Sequence, residues 1–266
     1  MNKIKTIIRK EWAEVFRNKM VIFTVAFLPL IMTAIPLGII FASRDAASSV
    51  GDAMDSGLPE EVTAGMCPEA LTGAECFQVF MVSQFMMMFM LIPVAIPVTM
   101  AAYSIVGEKT TRSLEPLLAT PITTVELLVG KCLATVIPAV LATFAAFGLF
   151  ALGSWLLVAN KMLLAALFDA RWLIAIFVVG PLLALMAVTF ALMVSSRVND
   201  PRVAEQVSMV MIVPVLAGFF GQIAGLFVLN KTIISWVAVV MLLVDIALVY
   251  MATKVFQREQ ILTRWK

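Results

Sequence analysis

The sequence predicts an all-α integral membrane protein with six transmembrane helices and both termini on the cytoplasmic side. Three observations carry that expectation. First, 62% of the 266 residues are hydrophobic, well above the share that an ordinary soluble domain with a polar surface uses. Second, several apolar stretches each reach the roughly 20 residues a helix needs to cross the hydrocarbon layer. Third, if the N-terminus is cytoplasmic, fifteen of the nineteen Lys and Arg fall in cytoplasmic segments, and only Arg44, Lys161, Arg171 and Lys231 fall outside. That is a strong positive-inside bias. The net charge of +2 offers no argument for nucleic acid, and the absence of His removes His-based acid–base chemistry and His metal sites. Neither a metal site nor a nucleic-acid partner is expected. Residues 1–266 read as a single transmembrane domain.

Residues 1–19 alternate bases with apolar residues at helical spacing. Ile4, Ile7, Ile8, Trp12, Val15 and Phe16 share one face, while Lys3, Arg9, Lys10, Glu14 and Arg17 mostly occupy the others. Such a helix can lie in the membrane interface, apolar side down. It has neither the short apolar core nor the cleavage site of a signal peptide. Span 1 covers about Met20–Ala42, with Pro29 and Pro36 tolerated because neighbouring helices can satisfy the freed carbonyls. From Arg44 to Glu75 the chain turns polar, with seven acids and one base, so 44–76 reads as an extracytoplasmic loop. It contains Cys67 and Cys76. On an oxidising face these two would form a disulfide closing a short loop; two free thiols are the alternative.

Span 2, about Phe77–Val106, is roughly 45 Å long at 1.5 Å per residue, against a hydrocarbon core of ~30 Å. It must tilt, kink at Pro93 or Pro97, or project from the membrane. Its methionines 81, 86, 87, 88 and 90 would suit a soft metal, but with no His and no suitably spaced Cys they read as a pliable apolar lining. Span 3 runs from near Leu127 to Leu152, with Lys131 expected to snorkel to the cytoplasmic headgroups. Residues 153–171 are apolar for a loop and are bounded by Trp155 and Trp172, which suggests a helix at the outer surface. Span 4 covers about Trp172–Val194. Asp200 and Pro201 form an N-cap and first-turn pair opening span 5. Pro214, Gly218, Gly221 and Gly225 weaken that span, so a full crossing and a re-entrant piece both stay open. Span 6, about Ile233–Thr253, carries one acid, Asp245. An intramembrane carboxylate is a functional-site hypothesis by default, set against a hydrogen bond to a Ser or Thr of a neighbouring helix or water at the inner leaflet.

The stretch from Gly107 to Lys131 is a long polar passage between apolar segments. Glu108 and Arg112 stand four apart, acid before base, the favourable order for a helical pair. Leu114, Leu117 and Leu118 give a short helix one apolar face. Thr120-Pro121 ends it, because a residue before proline is pushed out of helical geometry. Thr123 and Glu126 form a capping box ahead of span 3. A solvated connector needs none of this order, whereas a docking surface does.

These residues resemble the first cytoplasmic loop of ABC-2-type transporter permeases, which commonly carry G-E-(K/R)-x-x-(G/R)-(S/T)-L-E-x-L-L-x-(T/S)-P-(I/V) followed by E-x-x-x-G-K. Here the pattern reads Gly107-Glu108-Lys109, Ser113-Leu114-Glu115, Leu117-Leu118, Thr120-Pro121-Ile122, then Glu126 and Gly130-Lys131. Arg112 stands where glycine is usual, and Pro116 interrupts the helix. The resemblance implies a permease subunit of an ATP-driven exporter that dimerises with a second copy or a homologous permease. It implies a coupling loop at 107–126 that docks a separate ABC ATPase through Glu108, Arg112, Leu114, Glu115, Leu117, Leu118, Thr120 and Pro121. It also implies an elbow role for the N-terminal helix, with Arg9, Trp12, Phe16 and Arg17 as its contact residues, in a multi-pass protein of a bacterial or archaeal cytoplasmic membrane. No phosphate-cradling glycine loop with Lys-Ser/Thr occurs in the chain, so it reads as no enzyme, with ATP and Mg expected in the partner. The alternative is a membrane scaffold that recruits an ATPase or another partner by the same loop without transporting anything.

Overall fold

The computed structural model describes residues 2–17, 19–45, 73–110, 122–227 and 229–255, and these are helices joined by short connections. In chain order they are α1 (Asn2–Val15), α2 (Lys19–Asp45), α3 (Gly73–Met88), α4 (Ile92–Thr110), α5 (Thr124–Leu157), α6 (Lys161–Leu167), α7 (Ala170–Ile174), α8 (Gly180–Arg197), α9 (Pro201–Ser208), α10 (Val213–Ile223) and α11 (Lys231–Val255). Among the described residues, six helical runs are long and apolar enough to cross a membrane: Val21–Ser43, Glu75–Glu108, Val125–Leu157, Lys161–Arg197, Pro201–Ile223 and Lys231–Val255. The six expected spans are therefore present.

Three of these runs are interrupted, each just ahead of a proline. Pro93 has no N–H to offer the carbonyl of Phe89, and the N–H of Ile92 takes that carbonyl instead, tightening Phe89–Leu91 into a 3₁₀ turn between α3 and α4. The same exchange occurs before Pro214: Val213 donates to Val210 O, and Met209–Ile212 is a 3₁₀ turn between α9 and α10. Before Pro181 the chain loosens instead. Ala175–Val179 is a π turn in which Gly180 donates to Ala175 O. A missing donor inside a helix has to be answered by a shifted register, and these are its two directions. In span 2 the helix thus tightens ahead of Pro93, while Pro97 stays inside α4.

The core is formed by α4 and α8, which pack along one another. Ile92, Val94, Ile96, Val98, Met100, Ala101 and Val106 of α4 are all buried, as are Ala184, Ala187, Val188, Ala191 and Leu192 of α8. Small side chains on α8 let the two backbones approach, the usual solution where lipid offers no hydrophobic drive for helix association. Ser195 Oγ donates to Ala102 O at 3.1 Å across this contact. By contrast α2 and α11 lie at the margin, with Phe23, Leu30, Trp236 and Leu243 at least half exposed.

Two uncertain regions take definite form. Residues 153–157 complete α5, and the rest of the Trp155–Trp172 stretch turns through α6. Asn160 caps α6 by accepting from Met162 N, and its amide donates to Glu75 Oε1 at the start of the second span. Residues 201–223 form a continuous helical run, not a helix that breaks and returns. It ends at Gly225, whose φ of 71° is the left-handed geometry that glycine supplies cheaply at a helix end. Asp200 accepts from Arg202 N at 2.8 Å with Pro201 in the first turn, as its sequence predicts. Cys76 is buried near the start of α3, while Cys67 lies outside the described residues.

Candidate functional site

Lys131 does not snorkel. It is 2% exposed, and its ammonium lies in a buried junction between α1, α4 and α5. Nζ of Lys131 is 2.7 Å from Glu11 Oε1 and 3.0 Å from Glu108 Oε2, and donates to Ser104 Oγ at 2.8 Å. Ser104 Oγ donates onward to Glu11 Oε2 at 2.8 Å. Lys10 closes the group from the surface side by donating to Glu108 Oε1. The reason is geometric: a chain that could carry the ammonium to the headgroups finds two carboxylates nearer. Two carboxylates against two ammoniums make the junction neutral, the condition under which buried charge is tolerated.

The first turns of α5 and the whole of α1 run alongside each other, matched contact by contact. Lys3 pairs with Glu126 at 3.7 Å, Ile7 lies on Gly130, Glu11 meets Lys131, and the Trp12 indole N–H donates to Ala134 O at 2.7 Å. Two sequence features make this approach possible. A Cβ on Gly130 would stand 2.8 Å from Ile7 Cγ2 and 3.0 Å from its Cβ, so only glycine admits α1 this closely. Pro138, four residues beyond Ala134, has no N–H, which leaves the Ala134 carbonyl open for Trp12. The Gly-Lys that ends the motif thus has a physical role: Gly130 admits α1 and Lys131 pins it.

The Thr123–Glu126 capping box is present: Thr123 Oγ1 accepts from Glu126 N at 3.2 Å, and Thr123 N donates to Glu126 Oε2 at 2.8 Å. Glu108 is 3% exposed and faces inward to Lys10 and Lys131. Arg112, Leu114, Glu115, Leu117, Leu118, Thr120 and Pro121 lie outside the described residues. The described residues thus include both ends of the Gly107–Lys131 passage, and side chains from both ends, Glu108 on one side and Glu126 and Lys131 on the other, contact α1. On α1, Ile7 and Val15 are buried against protein, Trp12 is half-buried, and Arg9, Phe16 and Arg17 are exposed. The Lys10 ammonium is held above the usual lysine range: burial pulls it down, but the hydrogen bond and charge of Glu108, with Glu11 and Glu14 nearby, outweigh that cost.

Glu11 and Ser104 were not expected here. Glu11 left a signal in the sequence, since it stands four residues from both Ile7 and Val15, in the middle of the helix's apolar face. Ser104 left none. Far from this junction, Asp245 is 2% exposed on the face of α11 that carries Ile234 and Ala252. No hydrogen-bond donor among the described residues reaches either of its oxygens, so the expected Ser or Thr partner is not found there.

Among curated proteins, none matches the chain. A family does: the profile of the ABC-2 family transporter protein matches residues 5–246, a region that takes in most of α1, the buried junction and all but the end of the last span. With six membrane-crossing helices and that match over most of its length, the chain belongs to the ABC-2 family of transporter proteins, the membrane permeases of ABC transporters.

Proposed function

We propose that the chain is the permease subunit of an ATP-driven exporter and that ATP energy enters it through residues 108–131. The observation that carries this reading is the buried junction of Glu11, Glu108 and Lys131. A loop that only connected two spans would gain nothing from having both ends clamped at a third helix. A loop pushed by a partner would need such a clamp, because force applied between the ends must reach the spans without being lost in local bending. In this reading Leu114, Leu117 and Leu118 form the apolar anchor for a separate ATPase, and Arg112, Glu115, Thr120 and Pro121 frame it. Glu108 acts as a positioning residue from inside. Helix α1 lies near the cytoplasmic interface, presents Arg9, Phe16 and Arg17, and moves with the loop. Two copies, or this chain and a homologous permease, enclose the path in a bacterial or archaeal cytoplasmic membrane. ATP and Mg belong to the partner.

Central apolar anchors carry most interface energy, and rim charges chiefly guide encounter. Replacing Leu117 and Leu118 together by Ala is therefore expected to weaken ATPase association by on the order of 2 kcal/mol or more, with the spans still inserted. Co-purification of the ATPase and substrate-stimulated hydrolysis in liposomes measure it. A double variant that kept its ATPase and transported normally would reduce the stretch to a connector. Retained ATPase binding with no ATP-dependent movement of any compound would favour a recruiting scaffold.

A further inference from the structure

The three register-shifted turns ahead of prolines do not lie at random. All of them border one cavity of about 480 Å³, within the range of pockets that hold small ligands. Met90 from the turn before Pro93, Ala175 and Val179 from the π turn, and Pro214 beside the third all line it. A void bounded by three separate register shifts is a built feature, not slack left by one poorly packed side chain. Its lining consists of apolar residues throughout; Trp172, Phe227 and Leu229 lie near the end of the molecule where α7 and α11 begin, and Met87, Met186 and Met241 lie farther along their helices from it. Along α11 it extends from Ile233 to Met241, two turns or roughly 12 Å.

The cavity lies in the half of the molecule opposite the charged junction. Part of its lining comes from α10 and α11, helices on which Val213, Phe220 and Trp236 are more than half exposed. Outward apolar faces of membrane-spanning helices meet hydrocarbon wherever no second copy covers them. At the mouth, Arg171 donates to Leu229 O at 3.3 Å and pairs with Asp169 at 3.0 Å, which supplies a polar edge beside an apolar slot. A wholly apolar cavity of this size, with a polar pair beside one end, matches one acyl chain of a bilayer lipid: the tail inside, the headgroup by the polar pair. The flexible thioethers of Met87, Met186 and Met241 suit chains of different length.

We propose that this slot holds one tail of a lipid from the leaflet opposite the charged junction. The inference rests on the chain spanning a membrane and is independent of the docking role proposed for residues 108–131. It is tested with the full chain in phosphatidylcholine nanodiscs, with no other apolar solute present, using lipids that carry a photoactivatable group either near the headgroup or near the tail end. Met186 is only 8% exposed, so lipid merely surrounding the protein does not reach it. Tail-end probes are expected to label peptides containing Met186 and Met241 several-fold above headgroup-side probes, which should favour Trp172 and Phe227. Val237→Trp, at the partly exposed edge of the slot, should cut Met186 labelling several-fold. It should leave labelling at the outward-facing Leu243 unchanged, which also reports correct insertion. Equal labelling of Met186 by both probes, or Met186 labelling unaffected by Val237→Trp, would overturn the proposal. So would labelling that disappears as the protein-to-lipid ratio rises, since a second copy would then fill the slot.

Discussion

At the scale of single residues, Lys131 decides most. Removing one partner of a buried pair strands the other charge, whereas replacing the whole set by well-packed apolar groups is often neutral. Lys131→Met should therefore cost on the order of 3–5 kcal/mol of stability, because Glu11 and Glu108 then share the single ammonium of Lys10. Combining it with Glu11→Gln should recover part of that loss, a coupling that a double-mutant cycle on thermal unfolding in detergent would measure. Additive losses would mean that the two side chains do not act on each other. Lys10 adds a pH signature. Its value is raised above the ordinary 10.5, so what it contributes is fully present below that pH and is lost as pH rises through the raised value. The difference in melting temperature between the parent and Lys10→Met should hold from neutral pH up to that range and shrink only in stronger alkali. A difference that vanished near pH 8 would place the Lys10 contact outside the folded state's energetics.

At the scale of helices, what the sequence made legible was whatever depended on near neighbours along the chain. The Thr123–Glu126 box, the Asp200–Pro201 start and the break at Pro93 each need only a few consecutive residues, and each is found. Missed features depended on which helix lies beside which. Lys131 alone reads as a snorkelling residue, and only the approach of α1 and α4 turns it inward. The register shift before Pro181 was equally hidden, since Pro181 in the sequence signals a helix break without saying whether the helix tightens or loosens. Asp245 lies between these cases: its oddity was visible, its surroundings were not. A carboxylate buried without a donor costs stability, so Asp245→Leu should raise the thermal stability of the protein. If the group serves transport, the same variant should lose ATP-dependent substrate movement in liposomes. Stability and transport both unchanged would mean that the carboxylate neither strains the fold nor serves it.

At the scale of the whole molecule, helix direction sorts the charges to two ends. The junction of Lys10, Glu11, Glu108 and Lys131 lies at the same end as Arg197, Arg202 and Lys254, because α4, α8 and α11 finish there and α5 and α9 begin there. Lys161, Arg171 and Lys231 lie at the other, where α6, α7 and α11 begin. An orientation with the basic end in the cytoplasm satisfies the positive-inside bias and is the one that the proposed ATPase coupling requires. One labelling experiment addresses the arrangement. In a background without native cysteines, a Ser56→Cys variant should react in intact cells with a membrane-impermeant thiol reagent. A Thr111→Cys variant should react only after the membrane is opened. The reverse pattern would put the docking stretch on the wrong side for any cytoplasmic ATPase and would remove the proposed route of energy, even though the buried junction itself would stand.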